Sequence, residues 1–190
     1  MQQIIRTEST KRAETAYDLI ARSANENATM QGAAGIFGTF VSIGADVASI
    51  AMYSAMWNNI RKIYGHNEFE ADQVKSIIPK LGKEIISDIV FDKVIGYIPI
   101  IGIATNIMCA KSMSWRLGIL FSMLSSRGSD MPDDSIIKSV RLIREMYPQR
   151  DMFSFTTPDR SSVIRMIENT SNNSIEEFDQ KISKALAAFE

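Results

Sequence analysis

The sequence has little of the chemistry on which most enzymes and secreted domains depend. It contains one cysteine, Cys109, and one histidine, His66, among its 190 residues. One cysteine excludes an intramolecular disulfide, and one histidine gives poor support to a histidine-rich metal site or a catalytic triad. We therefore expect Cys109 to be a small buried hydrophobic residue and His66 to lie in an exposed loop. No catalytic residue, metal or other cofactor is predicted.

A net excess of charge is also missing. Lysine and arginine number 21 and aspartate and glutamate number 22, which gives a formal charge of -1. No basic run is interleaved with aromatic residues, so nucleic acid is not an expected partner. Residues 1–23 carry charges throughout and lack the apolar segment of a secretory signal. We expect a cytoplasmic protein, with association to the inner membrane left open.

Strand patterns are almost absent, because the apolar residues recur at helical rather than alternating spacing. The sequence predicts an all-α fold, a multi-helix bundle of two glycine- and alanine-rich helical hairpins with a C-terminal helical appendage. Residues 1–128 are expected to form the hairpin core. Residues 129–190, which hold 8 basic and 11 acidic residues, are expected to form a charged C-terminal helical segment.

The first hairpin is predicted in a stretch that is nearly free of charge. Between residues 27 and 60 the only charged residue is Asp46. Gly38 and Gly44 are candidates for helix packing or turns, and we expect a helix to start just after Gly44 and to stop at Gly65. Asp46 would cap that helix, or alternatively form a buried polar pair with Arg116.

The second hairpin is predicted around residues 94–110, which contain no charged residue. Pro99 and Gly102 mark its turn. As one continuous helix these 17 residues would span about 25 Å, which is less than the roughly 30 Å hydrocarbon core of a bilayer. A single membrane crossing is therefore not expected.

Three further helices are suggested by their apolar stripes or capping residues. The first is expected to fade near residues 25–29, and its stripe consists of Ala13, Ala16, Tyr17, Ile20 and Ala24. Pro158 is expected at the first position of a helix, and Ser174 with Glu177 forms a capping box for the last one. That last helix carries a stripe that must cover something, formed by Ile175, Phe178, Ile182, Leu186 and Phe189.

Two segments resemble a known family. Residues 40–65, "FVSIGADVASIAMYSAMWNNIRKIYG", and residues 98–118, "IPIIGIATNIMCAKSMSWRLG", are similar in order and spacing to the YcjF-like, GTPase-associated bacterial domain of unknown function. The resemblance covers about residues 30–126. It implies helical hairpins that associate with a membrane, and it implies no reaction. The chain has no GTPase motif, so any nucleotide role would belong to a separately encoded GTPase partner.

These observations favour a non-enzymatic helical interaction module that docks reversibly on a membrane surface or on a protein partner. The expected contact residues lie at the hairpin tips: Phe40, Tyr97, Ile98, Ile100 and Ile101. Two alternatives stay open, a soluble regulatory or immunity-type partner protein and a membrane-inserting effector. The sequence also leaves a homo-oligomer open.

Overall fold

The computed structural model describes residues 2–37, 39–68, 99–128, 132–148 and 154–189. Within these ranges the chain forms helices and no strand, which confirms the predicted all-α multi-helix bundle. The described helices are α1 (Gln2–Phe37), α2 (Thr39–Ile63), α3 (Pro99–Arg127), α4 (Asp133–Met146), α5 (Arg160–Asn172) and α6 (Ile175–Leu186).

The two longest helices, α1 and α3, run antiparallel and share the most extensive helix contact. Gly32 of α1 lies against Ile107 of α3, and Gly118 of α3 lies against Ile20 of α1. A Cβ atom placed on Gly118 would come within 2.6 Å of Cγ1 of Ile20. The absence of a side chain at Gly118 therefore allows the two helices to approach closely.

The first helix is longer than expected, because α1 continues unbroken through residues 25–29. Asn27 lies within this continuation and is only 1% exposed. Its Nδ2 donates to Tyr53 Oη of α2 at 2.9 Å and to Ser114 Oγ of α3 at 3.1 Å. Asn27 follows the apolar stripe in the sequence, yet it occupies a core position. Burial is possible because α2 and α3 both supply hydrogen-bond partners for its side chain.

The turn predicted at Gly44 is wrong, because α2 begins at Thr39 and passes through Gly44 without a break. Asp46 therefore lies in the helix interior, and its predicted role as the cap is also wrong. An interior glycine costs a helix only about 1 kcal/mol, which packing against other helices can offset. Helix α1 ends at Phe37 and α2 begins at Thr39, and Gly38 lies outside the described residues.

The end of α2 lies where the sequence predicts it, whereas α3 starts earlier than predicted, at Pro99 rather than after Gly102. Gly65 has φ +82° and follows the last turn of α2, as predicted. Pro99 is the first residue of α3, a position where its missing N–H has no intrahelical partner to lose. Gly102 lies within the first turns of α3, so the turn predicted there is wrong.

The C-terminal helices are capped by polar side chains. Ser174 and Glu177 form the predicted capping box of α6. The start of α5 was predicted at Pro158 but lies at Arg160, because Asp159 caps the helix and its Oδ2 accepts a hydrogen bond from the Ser162 N–H at 2.9 Å.

The helices after Gly128 share a hydrophobic core with the helices before it. Helix α5 packs against α1 and α3, while α4 packs against α3 and α6. One hydrophobic cluster includes Trp57 and Trp115 from before Gly128 and Ile143, Val163 and Phe178 from after it. The division into 1–128 and 129–190 stays a prediction.

Candidate functional site

The predicted contact residues that are described lie at helix starts. Phe40 is the second residue of α2, and Ile100 and Ile101 lie in the first turn of α3. Tyr97 and Ile98 lie outside the described residues.

The topology brings these helix starts to the same end of the bundle. Gly32 of α1 faces Ile107 of α3, and from these positions α1 runs on to Phe37 while α3 runs back to Pro99. Helix α2 starts where α1 ends. We call residues 27–37, 39–45 and 99–110 the apolar end, because these three helical segments contain no charged residue.

The apolar end is bounded along α2 by Asp46. This residue is seven positions after Thr39, or about 10 Å along the helix axis. Its side chain lies outside the described part of the structure, so its pairing with Arg116 stays a prediction.

Arg116 itself is buried, with only 4% of its surface exposed. Its Nε and Nη2 each donate to the Tyr147 carbonyl oxygen at 3.1 Å. Tyr147 follows the last residue of α4, so this contact ties the end of α4 to α3.

A second feature is a groove of about 420 Å³ to which α3, α4, α5 and α6 all contribute. We call it the methionine groove. Its apolar lining consists of Met123, Leu142, Met146, Met166, Phe178, Ile182 and Ala185. Two exposed basic residues, Arg165 of α5 and Lys181 of α6, also line it, and no acidic residue is among its lining residues in the described part of the chain.

Polar contacts hold the walls of the groove in place. Arg127, at the end of α3, donates through Nη1 to the carbonyl oxygens of Thr170 at 3.0 Å and Asn173 at 2.6 Å, and its guanidinium lies 5.7 Å from the centre of the Phe178 ring. The Nζ of Lys181 donates to Asn173 Oδ1 at 2.6 Å. Side chains of α3 and α6 thus satisfy groups at the C-terminal end of α5.

The link between α4 and α6 supports the same groove. Asp179 of α6 accepts hydrogen bonds from Ser135 Oγ at 2.6 Å and from Lys138 Nζ at 2.7 Å. These hydrogen bonds, that of Lys138 first, lower the pKa of the Asp179 carboxyl group. The carboxylate is therefore ionised at neutral pH and keeps α6 against α4.

A polar cavity of about 420 Å³ shares Met146 with the methionine groove and is lined by Tyr147, Ser154, Thr156 and Asp159 among others. The Tyr147 hydroxyl is buried and has no hydrogen-bond partner within the described ranges. Burial raises the pKa of Tyr147 to about 12. The phenol is therefore protonated at neutral pH, when it can donate but does not act as a base.

The single histidine and the single cysteine differ from the prediction in how far they are exposed. His66 is half-buried rather than exposed, and its Nε2 lies 2.8 Å from the Ser125 carbonyl oxygen. A carbonyl oxygen only accepts, so Nε2 carries the proton and fastens the loop after α2 to α3. Cys109 is half-buried rather than fully buried. No cluster of three or more metal-ligating side chains occurs in the described part of the chain.

No family model, curated protein or solved structure matches this chain. The resemblance to the YcjF-like family stays a prediction. None of the helices in the described ranges combines the length and the apolar character needed to cross a bilayer.

The methionine groove was not predicted from the sequence. Its residues are spread from position 123 to position 185, and no local motif connects them. One feature of the sequence pointed towards it, because the apolar stripe of α6 must pack against another apolar surface. Phe178 and Ile182 of that stripe are buried, but they also form one wall of the groove.

Proposed function

We propose that this chain is a non-catalytic helical interaction module that docks reversibly on a membrane surface through its apolar end. The observation that supports the proposal is the topology. Three charge-free helical segments, far apart in the sequence, meet at one end of the bundle. Charged residues are depleted where a protein surface contacts lipid, because a charged side chain is costly to transfer out of water.

The position of Asp46 supports shallow docking rather than deep insertion. Amphipathic elements at a membrane surface bury their apolar face about 5–10 Å into the boundary between headgroups and acyl chains. Asp46 lies about 10 Å along α2 from its start. Docking to this depth would cover the first turns of α2 and α3, with Phe40, Ile100 and Ile101, and would leave the Asp46 carboxylate at the water boundary.

The family resemblance gives the proposal its setting. It implies association with a membrane, for which we propose the cytoplasmic face of a bacterial inner membrane, and any nucleotide role would belong to a separately encoded GTPase partner. In this setting the helices outside the apolar end face away from the membrane and are available to proteins.

Co-sedimentation with vesicles of phosphatidylcholine and phosphatidylglycerol tests the proposal. We expect the wild-type protein to sediment with the vesicles, and the double variant Ile100→Asp/Ile101→Asp to stay in the supernatant with an unchanged far-UV circular dichroism spectrum. Two aspartates at the docking depth would cost several kcal/mol in total, which exceeds the insertion energy of a few apolar side chains.

The matched control is Ala51→Asp/Ala55→Asp, which adds the same two charges to exposed positions of α2. These positions lie about 18–24 Å from the start of the helix, so binding should be unchanged. If the wild-type protein fails to sediment and Ile100→Asp/Ile101→Asp unfolds, the apolar end is a buried part of the core and the proposal is wrong.

A further inference from the structure

We infer that the methionine groove is a second binding site and that it receives an acidic amphipathic helix of a protein partner. The inference does not use the apolar end, so it can hold or fail independently of membrane docking.

The size and lining of the groove fit apolar anchor side chains. Its volume of about 420 Å³ lies within the range of about 300–1,000 Å³ typical of ligand sites. Three of its lining residues are methionines, Met123, Met146 and Met166. Methionine side chains are unbranched and adaptable, and they are common where a protein accepts the apolar face of a helix.

The groove is also open along one side of the bundle rather than enclosed. Met146 is 38% exposed although it is a large apolar residue, and it is one of two such residues among those whose side-chain exposure the structure describes. Its exposure is explained if the groove is covered by a partner. A concave site between helices accommodates a helix better than it accommodates the flat surface of a bilayer.

The charged residues at the rim of the groove, Arg165 and Lys181, are both basic and therefore favour an acidic partner. Arg165 of α5 and Lys181 of α6 are exposed, and both line the groove beside its apolar residues. The acidic residues nearest to them in sequence are engaged elsewhere: Asp179 accepts a hydrogen bond from Lys138 Nζ at 2.7 Å, and Glu168 accepts one from Thr10 Oγ1. A helix with apolar anchors at i, i+4 and i+7 and carboxylates beside them is complementary to this arrangement.

Fluorescence anisotropy with a labelled designed peptide tests the inference. The peptide has about 18 residues, leucines at i, i+4, i+7 and i+11, and glutamates on the flanks. We expect it to bind the full-length protein, to bind more weakly as the salt concentration rises from about 50 to about 300 mM, and to bind the variant Arg165→Glu/Lys181→Glu at least about tenfold more weakly. A peptide of the same design with lysine in place of glutamate should not bind.

Two further variants keep the result interpretable. Lys11→Glu/Arg22→Glu changes the net charge by the same amount at exposed positions of α1, and it should bind the peptide like the wild type. Met146→Asp places a charge on the apolar lining without altering the rim, and it should also lose binding.

Several results would overturn the inference. They are no binding of the acidic peptide, equal binding of the lysine peptide, or equal weakening by the control variant. Loss of vesicle binding or of self-association in Arg165→Glu/Lys181→Glu, without peptide binding to the wild type, would instead assign the groove to a lipid surface or to a second copy of the chain. None of these results depends on Ile100→Asp/Ile101→Asp, which tests the apolar end.

Discussion

Gly118 sets the distance between the two central helices, because it has no side chain where α3 meets Ile20 of α1. The atoms facing it include Cβ of Ile20, which cannot move without the backbone of α1. Gly32 makes a looser contact, since the atoms facing it are Cδ1 and Cγ1 of Ile107, at the flexible end of that side chain. The two glycines should therefore differ in how well they tolerate alanine.

Gly118→Ala should lower the free energy of unfolding by about 1–3 kcal/mol, because the added methyl group overlaps Ile20 and forces the helices apart. Gly32→Ala should cost less, because Ile107 can rotate away. Urea denaturation of both variants measures the difference. The double variant Gly118→Ala/Ile20→Ala should lose less stability than the sum of its single changes. Equal costs for the two glycine variants would contradict this account.

Tyr147 makes the free energy of unfolding depend on pH in the alkaline range. Its pKa is raised to about 12 by burial, whereas in the unfolded chain it is about 10. Between these values the unfolded state loses the phenol proton and the folded state keeps it, so the free energy of unfolding falls as the pH rises through this window. Below about pH 10 both states are protonated and the contribution is fully present.

Tyr147→Phe should therefore flatten the decline in stability between about pH 10 and about pH 12. At neutral pH the variant should be close to the wild type, because the hydroxyl has no hydrogen-bond partner among the described residues. Burial also raises the pKa of Tyr64, so part of the decline should persist. Urea titrations at a series of pH values test this, and an unchanged slope in Tyr147→Phe would disprove it.

Helix α6 shows which features of an element can be predicted from local sequence. Its capping box and its stripe were predicted because Ser174, Glu177 and the apolar spacing all lie within one short segment. The start of α2 was not predicted, because the glycine-rich segment is compatible with more than one helix start. Contacts of α2 with α1 and α3 decide between these starts. For the same reason Ala51 and Ala55, which lie in the charge-poor stretch, are exposed.

Ser174→Ala should destabilise the start of α6 by about 1 kcal/mol, because the Glu177 N–H loses the oxygen that caps it. Amide hydrogen exchange should show the loss as faster exchange in the first turn of α6. Ser183→Ala, at an exposed position of the same helix, is the control and should leave exchange unchanged. Equal effects of the two changes would show that the cap is not what stabilises this helix end.

At the scale of the whole molecule, the helices after Gly128 complete the core of the helices before it. Trp57 and Phe121 stack with their ring centres 4.4 Å apart in the interior, and the cluster that holds them extends to Phe178 of α6. A core that is shared in this way predicts one cooperative unfolding transition. If the C-terminal segment folded on its own, two unfolding transitions would be expected.

Phe178→Ala, at a position only 5% exposed, should cost about 3–5 kcal/mol. It should lower the midpoints of tryptophan fluorescence and far-UV circular dichroism together, although both tryptophans lie before Gly128. Phe189→Ala, at a position 52% exposed, should leave both midpoints near the wild type. If tryptophan fluorescence does not respond to Phe178→Ala, the segment after Gly128 is an independent unit.

The sequence by itself determined the helical class, the stop at Gly65, the capping box of α6 and the charge-free stretches, because each depends on neighbours within a few turns. Only the tertiary structure decided that α1 continues through Asn27, that the charge-free stretches meet at one end, and that Arg165 and Lys181 line a shared apolar groove. The physical reason is that buried hydrogen bonds, close glycine contacts and charge complementarity depend on residues that are distant in the chain and adjacent only in the fold.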